Sequence, residues 1–310
     1  MPLLNLSHLT TYNYKKPVSF GEHRIMVRPR ESYDQHVLDA TLDIHPQPSE
    51  LRWLHDVFGN SVAIATFDRR ADRLVFDSRV RMRHRPADLH DVHIEDYART
   101  YPFTYSSEDM PDLLRSIERQ HLDPLRRIDQ WARRFVNDSG PTETLAMLKA
   151  MTAAIREEFT YVARHEKGTQ SPIETMTSRK GTCRDYAMFM IEAVRALGFA
   201  ARFCSGYVYS MKPRTQQRVG GGNTHAWVRV YLPGSGWVEF DPTNGIIGNH
   251  DLIRVAIARD IYTAVPISGT WMGFPGSFID MTVSVDIEVE TESDTDVREP
   301  VAQGAAAVEE

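Results

Sequence analysis

The chain has 310 residues, 42% of them hydrophobic and 25% charged, which suits one large globular domain or two moderate ones. The net charge of −6 is concentrated at the C-terminus, where six acids (Glu292, Asp294, Asp296, Glu299, Glu309, Glu310) stand against Arg298, leaving −1 for the rest. A near-neutral body excludes nucleic acid as the main partner, no apolar run approaches a membrane span, and two cysteines make no disulfide framework.

The N-terminus has neither the basic nor the apolar region of a signal peptide, so a reducing, cytoplasmic setting is expected. Residues 1–90 predict short strands with turns between them, the pattern of a β-sandwich-like domain. His8, Thr10, Tyr12 and Tyr14 alternate with their neighbours. Leu38, Ala40, Leu42 and Ile44 alternate with Asp39, Thr41 and Asp43, predicting one buried face. Phe58-Gly59-Asn60-Ser61 turns the chain between two such runs, and Leu74, Phe76, Ser78, Val80 and Met82 form a third.

Residues 91–141 predict a connector followed by helices. Asp123-Pro124 predicts a helix start, with Leu125, Ile128, Trp131, Ala132 and Phe135 at helical spacing. The catalytic unit is expected over 142–290, beginning with a helix from about Thr142 to Phe159 that buries Leu145, Leu148, Thr152, Ile155 and Phe159. Residues 291–310 predict a disordered acidic tail.

Within that unit, Gly181-Thr182-Cys183 leads into a helix whose apolar stripe is Ala187, Met190, Ile191, Val194 and Leu197, ended by Gly198. Cys183 therefore sits in a first helical turn, where unpaired N–H groups and the helix dipole favour the thiolate. Cys204, between Phe203 and Ser205 in a predicted strand, has the setting of a structural thiol. The basic, Gly-rich stretch Met211–Asn223, with Lys212, Arg214 and Arg218, predicts a mobile loop that acts as a lid or is a plain connector.

Two strands follow, 224–232 and 236–241, joined by Pro233-Gly234-Ser235-Gly236. Alternation puts His225, Trp227, Arg229 and Tyr231 on one face, and Trp237, Glu239 and Asp241 on one face of the next strand. A short turn makes the strands antiparallel neighbours, which sets His225 across from Asp241. Cysteine on a helix start with His and Asp on successive strands is the papain-like arrangement. Taken singly, the three would read as a buried Cys, a sheet His and a surface Asp. A metal site is disfavoured because no CxxC or HxxxH spacing occurs.

Gly181-Thr182-Cys183-Arg184-Asp185, Ser205-Gly206-Tyr207, His225-Ala226-Trp227 and Trp237-Val238-Glu239-Phe240-Asp241-Pro242-Thr243 together resemble the bacterial transglutaminase-like superfamily. His8–Tyr12, Arg28-Pro29-Arg30 and Asp56–Asn60 resemble its β-rich N-terminal domain, and Ala258-Arg259-Asp260-Ile261-Tyr262 a segment that follows the core. The resemblance covers roughly residues 3–290.

It implies an α+β fold, a β-sandwich-like domain followed by a papain-like core in which a helix-borne Cys packs on an antiparallel sheet. It also implies Cys183 as nucleophile, His225 as base and Asp241 as orienter. Tyr161, Arg184, Asp185, Trp227 and Asp260 are further candidates, with Arg184 and Asp185 expected to pair near the helix start. The implied chemistry is acyl transfer or hydrolysis at a peptide, isopeptide or glutamine carboxamide through a thioester, without cofactor or metal. Amine-accepting crosslinking and an inert protein-binding module are the alternatives. The expected partner is a peptide or protein carboxamide, with no nucleic acid and no membrane.

Overall fold

The computed structural model describes residues 2–85, 92–163, 168–210 and 218–290. The N-terminal half is built on one long strand used twice. β1 (Leu3–Ile25) is followed by β2 (Gln35–His45), β3 (Glu50–His55), β4 (Ser61–Thr66) and β5 (Ala71–His84). Leu3–Asn13 of β1 pair with β5, whereas His23–Ile25 pair with β4, and the register breaks between Asn13 and Val18. The sheet therefore curls on itself. Tyr14, Val18, Phe20, Ile25, Ala63, Ala65, Leu74 and Phe76 fill the curl.

The alternation over 74–82 is realised in full, with all five of its inward residues buried. That of β2 is not. A bulge between Val37 and Asp39 moves the pattern by one residue, so Val37 is buried and Leu38 lies exposed.

A short strand β6 (Thr100–Tyr101) and helix α1 (Met110–Ile117) lead to α2 (Arg127–Arg133). The predicted start at Asp123-Pro124 is corrected. Arg126 takes a left-handed conformation (φ 51°), and the Asp123 carboxylate accepts the N–H groups of Arg127 and Ile128, so the first turn begins three residues later, at Arg127.

β7 (Thr142–Glu143) and α3 (Thr144–Glu158) come next, then β8 (Thr160–Tyr161), α4 (Pro172–Ser178), β9 (Lys180–Gly181) and α5 (Cys183–Ala196). The core sheet follows: β10 (Ala201–Val208), β11 (His225–Leu232), β12 (Gly236–Asp241), β13 (Ile246–Ile247) and β14 (Leu252–Ala258), in the order β13-β12-β11-β10-β14. Ala226, Val228, Val230 and Leu232 pack one face of this sheet on α5, which is buried nearly all round.

β15 (Ile267–Met272) and β16 (Phe278–Glu290) return to the N-terminal sheet and pair with β1. The two sheets meet through Leu4, Leu6, Val80 and Met82 on one side and Tyr207, Tyr209, Ile253 and Val255 on the other. Among the described residues no helix is long and apolar enough to cross a membrane.

Candidate active site

Cys183 opens α5, as its sequence context predicts. Gly181 makes the approach possible, because a Cβ there would stand 2.8 Å from that of Asp185. The buried Asp185 carboxylate accepts the Thr182 backbone N–H at 2.8 Å, the Thr182 hydroxyl at 2.9 Å and the Gln170 N–H at 2.8 Å. It is the anchor of the helix start. Its expected partner Arg184 points outward, where its charge favours the Cys183 thiolate.

His225 Nε2 meets Asp241 Oδ2 at 2.8 Å, and both residues are buried. They are not directly opposite as predicted. The β11–β12 register runs through Val228↔Phe240 and Arg229↔Glu239, which places Asp241 beside Trp227 and leaves His225 one diagonal away. The imidazole spans that diagonal. Trp227 stacks beside it, with ring centroids 5.9 Å apart at 28°.

With Nε2 engaged, Nδ1 is the nitrogen left for the thiol. Among the described residues it makes no hydrogen bond, and Cys183 and His225 act on each other through charge.

Electrostatics favour a thiolate–imidazolium pair. Burial pushes the Cys183 thiol up, but the charges of His225 and Arg184 outweigh that and hold it below the ordinary thiol value. Burial would lower His225, but Asp241 and Cys183 raise it well above the ordinary imidazole. Asp241 is held below the usual carboxylate range: burial opposes ionisation, while His225, Asn244 and the Thr243 N–H favour it more strongly. Cys204, by contrast, is pushed up to about 12 by burial. It has the environment of an inert thiol.

Tyr161 is brought to the site. The parallel pairing Tyr161↔Gly181 holds it beside the Cys183 turn, close enough for the Cys183 charge to act on its phenol. Burial, and then the Cys183 charge, push that phenol up to about 12, so it stays protonated near neutrality. Asp260 is not brought there. It caps the 3₁₀ turn Ile261–Thr263 through the Tyr262 N–H and lies by Arg195, near the opposite end of α5.

Sequence reasoning missed Asn244. Its amide donates to Asp241 Oδ2 at 2.9 Å, and its backbone N–H donates to Asp241 Oδ1 at 3.3 Å. The Asn-Gly pair after a strand signalled a turn but not this contact. Lys212 and Arg214 of the predicted lid lie outside the described residues. Arg218 is paired with Asp251. Among the described residues no group of three or more His, Cys, Asp or Glu could hold a metal ion.

Residues 4–83 match the bacterial transglutaminase-like N-terminal region, and residues 129–242, spanning all three candidate residues, match the transglutaminase-like superfamily. The chain belongs to this superfamily. An uncharacterised protein of Mycobacterium tuberculosis is 27% identical over 291 residues, 90% of this chain and 91% of that protein. One from Mycobacterium leprae is 21% identical over 295 residues, 91% and 98% of the two chains. A crystal structure from Cytophaga hutchinsonii, presented as a candidate cysteine protease, superposes with a TM-score of 0.69 at 20% identity and covers 95% of this chain and 92% of that one. At that identity the likeness is one of fold, and it extends over both halves of the molecule. Superfamily membership carries a general thiol-dependent catalytic role.

Proposed function

We propose that the chain is a transglutaminase-like cysteine peptidase or amidase acting through Cys183, His225 and Asp241. The observation that carries this reading is the buried 2.8 Å His225–Asp241 bond, in a core whose helix α5 opens on the buried Cys183.

The Cys183 thiolate adds to the carbonyl carbon of a carboxamide. Charge moves to the carbonyl oxygen, which the backbone N–H groups at the start of α5, that of Cys183 among them, stabilise. The imidazolium gives its proton to the departing nitrogen, the C–N bond breaks and an amine or ammonia leaves. The acyl group remains on sulfur as a thioester. Neutral His225 then takes a proton from water as the oxygen adds to the thioester. Collapse releases the acid and restores the thiolate–imidazolium pair. Asp241 stays ionised throughout and holds the ring. An amine in place of water would give transamidation. A cytoplasmic location, where free thiols stay reduced, forms part of the proposal.

Profiling with a peptide, isopeptide and glutamine-amide library, with and without added amine, tests the reading. The expected result is release of amine or ammonia, without dependence on acceptor amine, that disappears in Cys183→Ala and persists in Cys204→Ala. Turnover that survives in Cys183→Ala would refute the assignment.

A further inference from the structure

The residues just before His225 form a strap, 218–223, fixed at three places. Arg218 pairs with Asp251. The peptide of Val219 makes a two-way bond with the Asn244 side chain, its N–H donating to Oδ1 at 2.9 Å and its carbonyl accepting from Nδ2 at 3.1 Å. The carbonyl of Gly222 accepts the N–H of Val285, on β16 of the N-terminal sheet, at 3.0 Å. Between these anchors Gly220, with φ +91°, lies on the imidazole: a Cβ there would stand 2.7 Å from His225 Nδ1. The strap thus borders the edge of the ring at which the thiol acts.

Asn244 is the joint between strap and dyad. Its Nδ2 carries two hydrogens, given to Asp241 Oδ2 and to the Val219 carbonyl, and also lies 3.4 Å from His225 Nε2, and its Oδ1 takes the Val219 N–H. All three side-chain bonds are committed, and the residue is buried. Buried polar groups whose bonds are all made fix one geometry, and removing one leaves the rest unpaired.

We infer that Asn244 is a positioning residue that seats the 218–223 strap on His225, so that the imidazole is held at Nε2 by Asp241 and along its Nδ1 edge by Gly220, in the plane that faces Cys183. The inference rests on the proposed thiol chemistry. Glycine at 220 follows from it, since any side chain there would displace either ring or strap.

The test reads the sulfur directly and needs no substrate. The rate of Cys183 alkylation by iodoacetamide is followed against pH in the full chain, for Cys204→Ala as the parent and for Asn244→Ala and Gly220→Ala in that background. An ordinary thiol, with a pKa of about 8.5, is under about 1% ionised at pH 6. A thiolate held by a well-placed imidazolium keeps reacting there. The parent should show this acid limb, and each variant should lose at least about tenfold of its rate near pH 6 while approaching the parent at alkaline pH. Circular dichroism checks that the variants are folded, and Gly220→Ala carries the test should Asn244→Ala fail to fold. Folded variants whose profiles overlay the parent would overturn the role of Asn244 and the strap while leaving the thiolate reading intact. A parent with no acid limb would overturn both.

Discussion

Acid should loosen the seam between the two sheets, through two buried histidines. His8 Nδ1 meets the Tyr207 hydroxyl at 2.7 Å, and His84 Nδ1 meets that of Tyr209 at 2.7 Å, with Tyr207 on β10 and Tyr209 just past its end, both across the contact with the N-terminal sheet. Burial pushes each ring from the ordinary 6.5 down to about 4; at His84 the Asp34 charge opposes the shift without overcoming it. Between those values the folded protein keeps both rings neutral while the unfolded chain protonates them. The unfolded state therefore binds more protons, and stability rises with pH through this window. The contribution is whole above about 6.5 and is lost as pH falls towards about 4. A displacement of that size corresponds to about 3 kcal/mol per ring, and about twice that for both if they act independently, at about 1.4 kcal/mol per pH unit. Against a total stability of about 5–15 kcal/mol, that is enough to open the seam. Urea unfolding from about pH 7 to about pH 4.5 should show a steep loss in the native protein and a flatter one in His8→Gln/His84→Gln, whose carboxamides do not titrate there. Equal pH slopes in the two proteins, or a native protein that gains stability on acidification, would refute the reasoning.

Three further outcomes follow from the same structure. His225→Ala should lower kcat/KM on a validated substrate by about 10²–10⁴, and Asp241→Asn by less, because the ring remains and only its holder weakens; an Asp241→Asn enzyme with an unaltered pH–rate profile would remove that residue from the mechanism. Gly181→Ala should lower the melting temperature and slow Cys183 alkylation together, since its Cβ would collide with Asp185 at 2.8 Å and shift the helix start; a variant with both values native would show that the turn adapts. Asp34→Ala should cost about 3–5 kcal/mol in urea unfolding, because it breaks the contact of Asp34 with the buried Arg254 guanidinium, which also bonds Glu239 and the Ser32 hydroxyl, each at 2.9 Å; a loss under about 1 kcal/mol would mean that Glu239 and Ser32 suffice for Arg254.

Much of the site was legible because it rests on short-range geometry. The 3.6-residue stripe from Ala187 to Leu197 and the Gly-Thr-Cys turn before it fix where α5 begins, and with it the place of Cys183. The turn at 233–236 leaves His225 and Asp241 on adjacent antiparallel strands whatever surrounds them. The alternation over 74–82 likewise needs only a sheet with one wet face.

What remained hidden depends on partners distant in the chain. The bulge that exposes Leu38 is imposed by the pairing of β2 with β5. The α2 start depends on how the Asp123 carboxylate reaches back over the turn. β14 is buried at every position because β10 pairs with one of its edges, the N-terminal sheet packs on Ile253 and Val255, and Ala256 and Ala258 join the α5 core, so its sequence carries no period to read.

The sequence by itself determined the placement on which the proposed chemistry rests: Cys183 on a helix N-terminus and His225 and Asp241 one hairpin apart, all consequences of periods and turns spanning a few residues. Tertiary structure alone decided that β16 pairs with β1 rather than with the core, that Val285 fastens the strap before His225, and that Asn244 joins that strap to Asp241. Those contacts link residues far apart in sequence or on separate loops, and no local pattern encodes them. They form because burying apolar faces brings the segments together and leaves buried amides and carboxylates that must find partners where they lie.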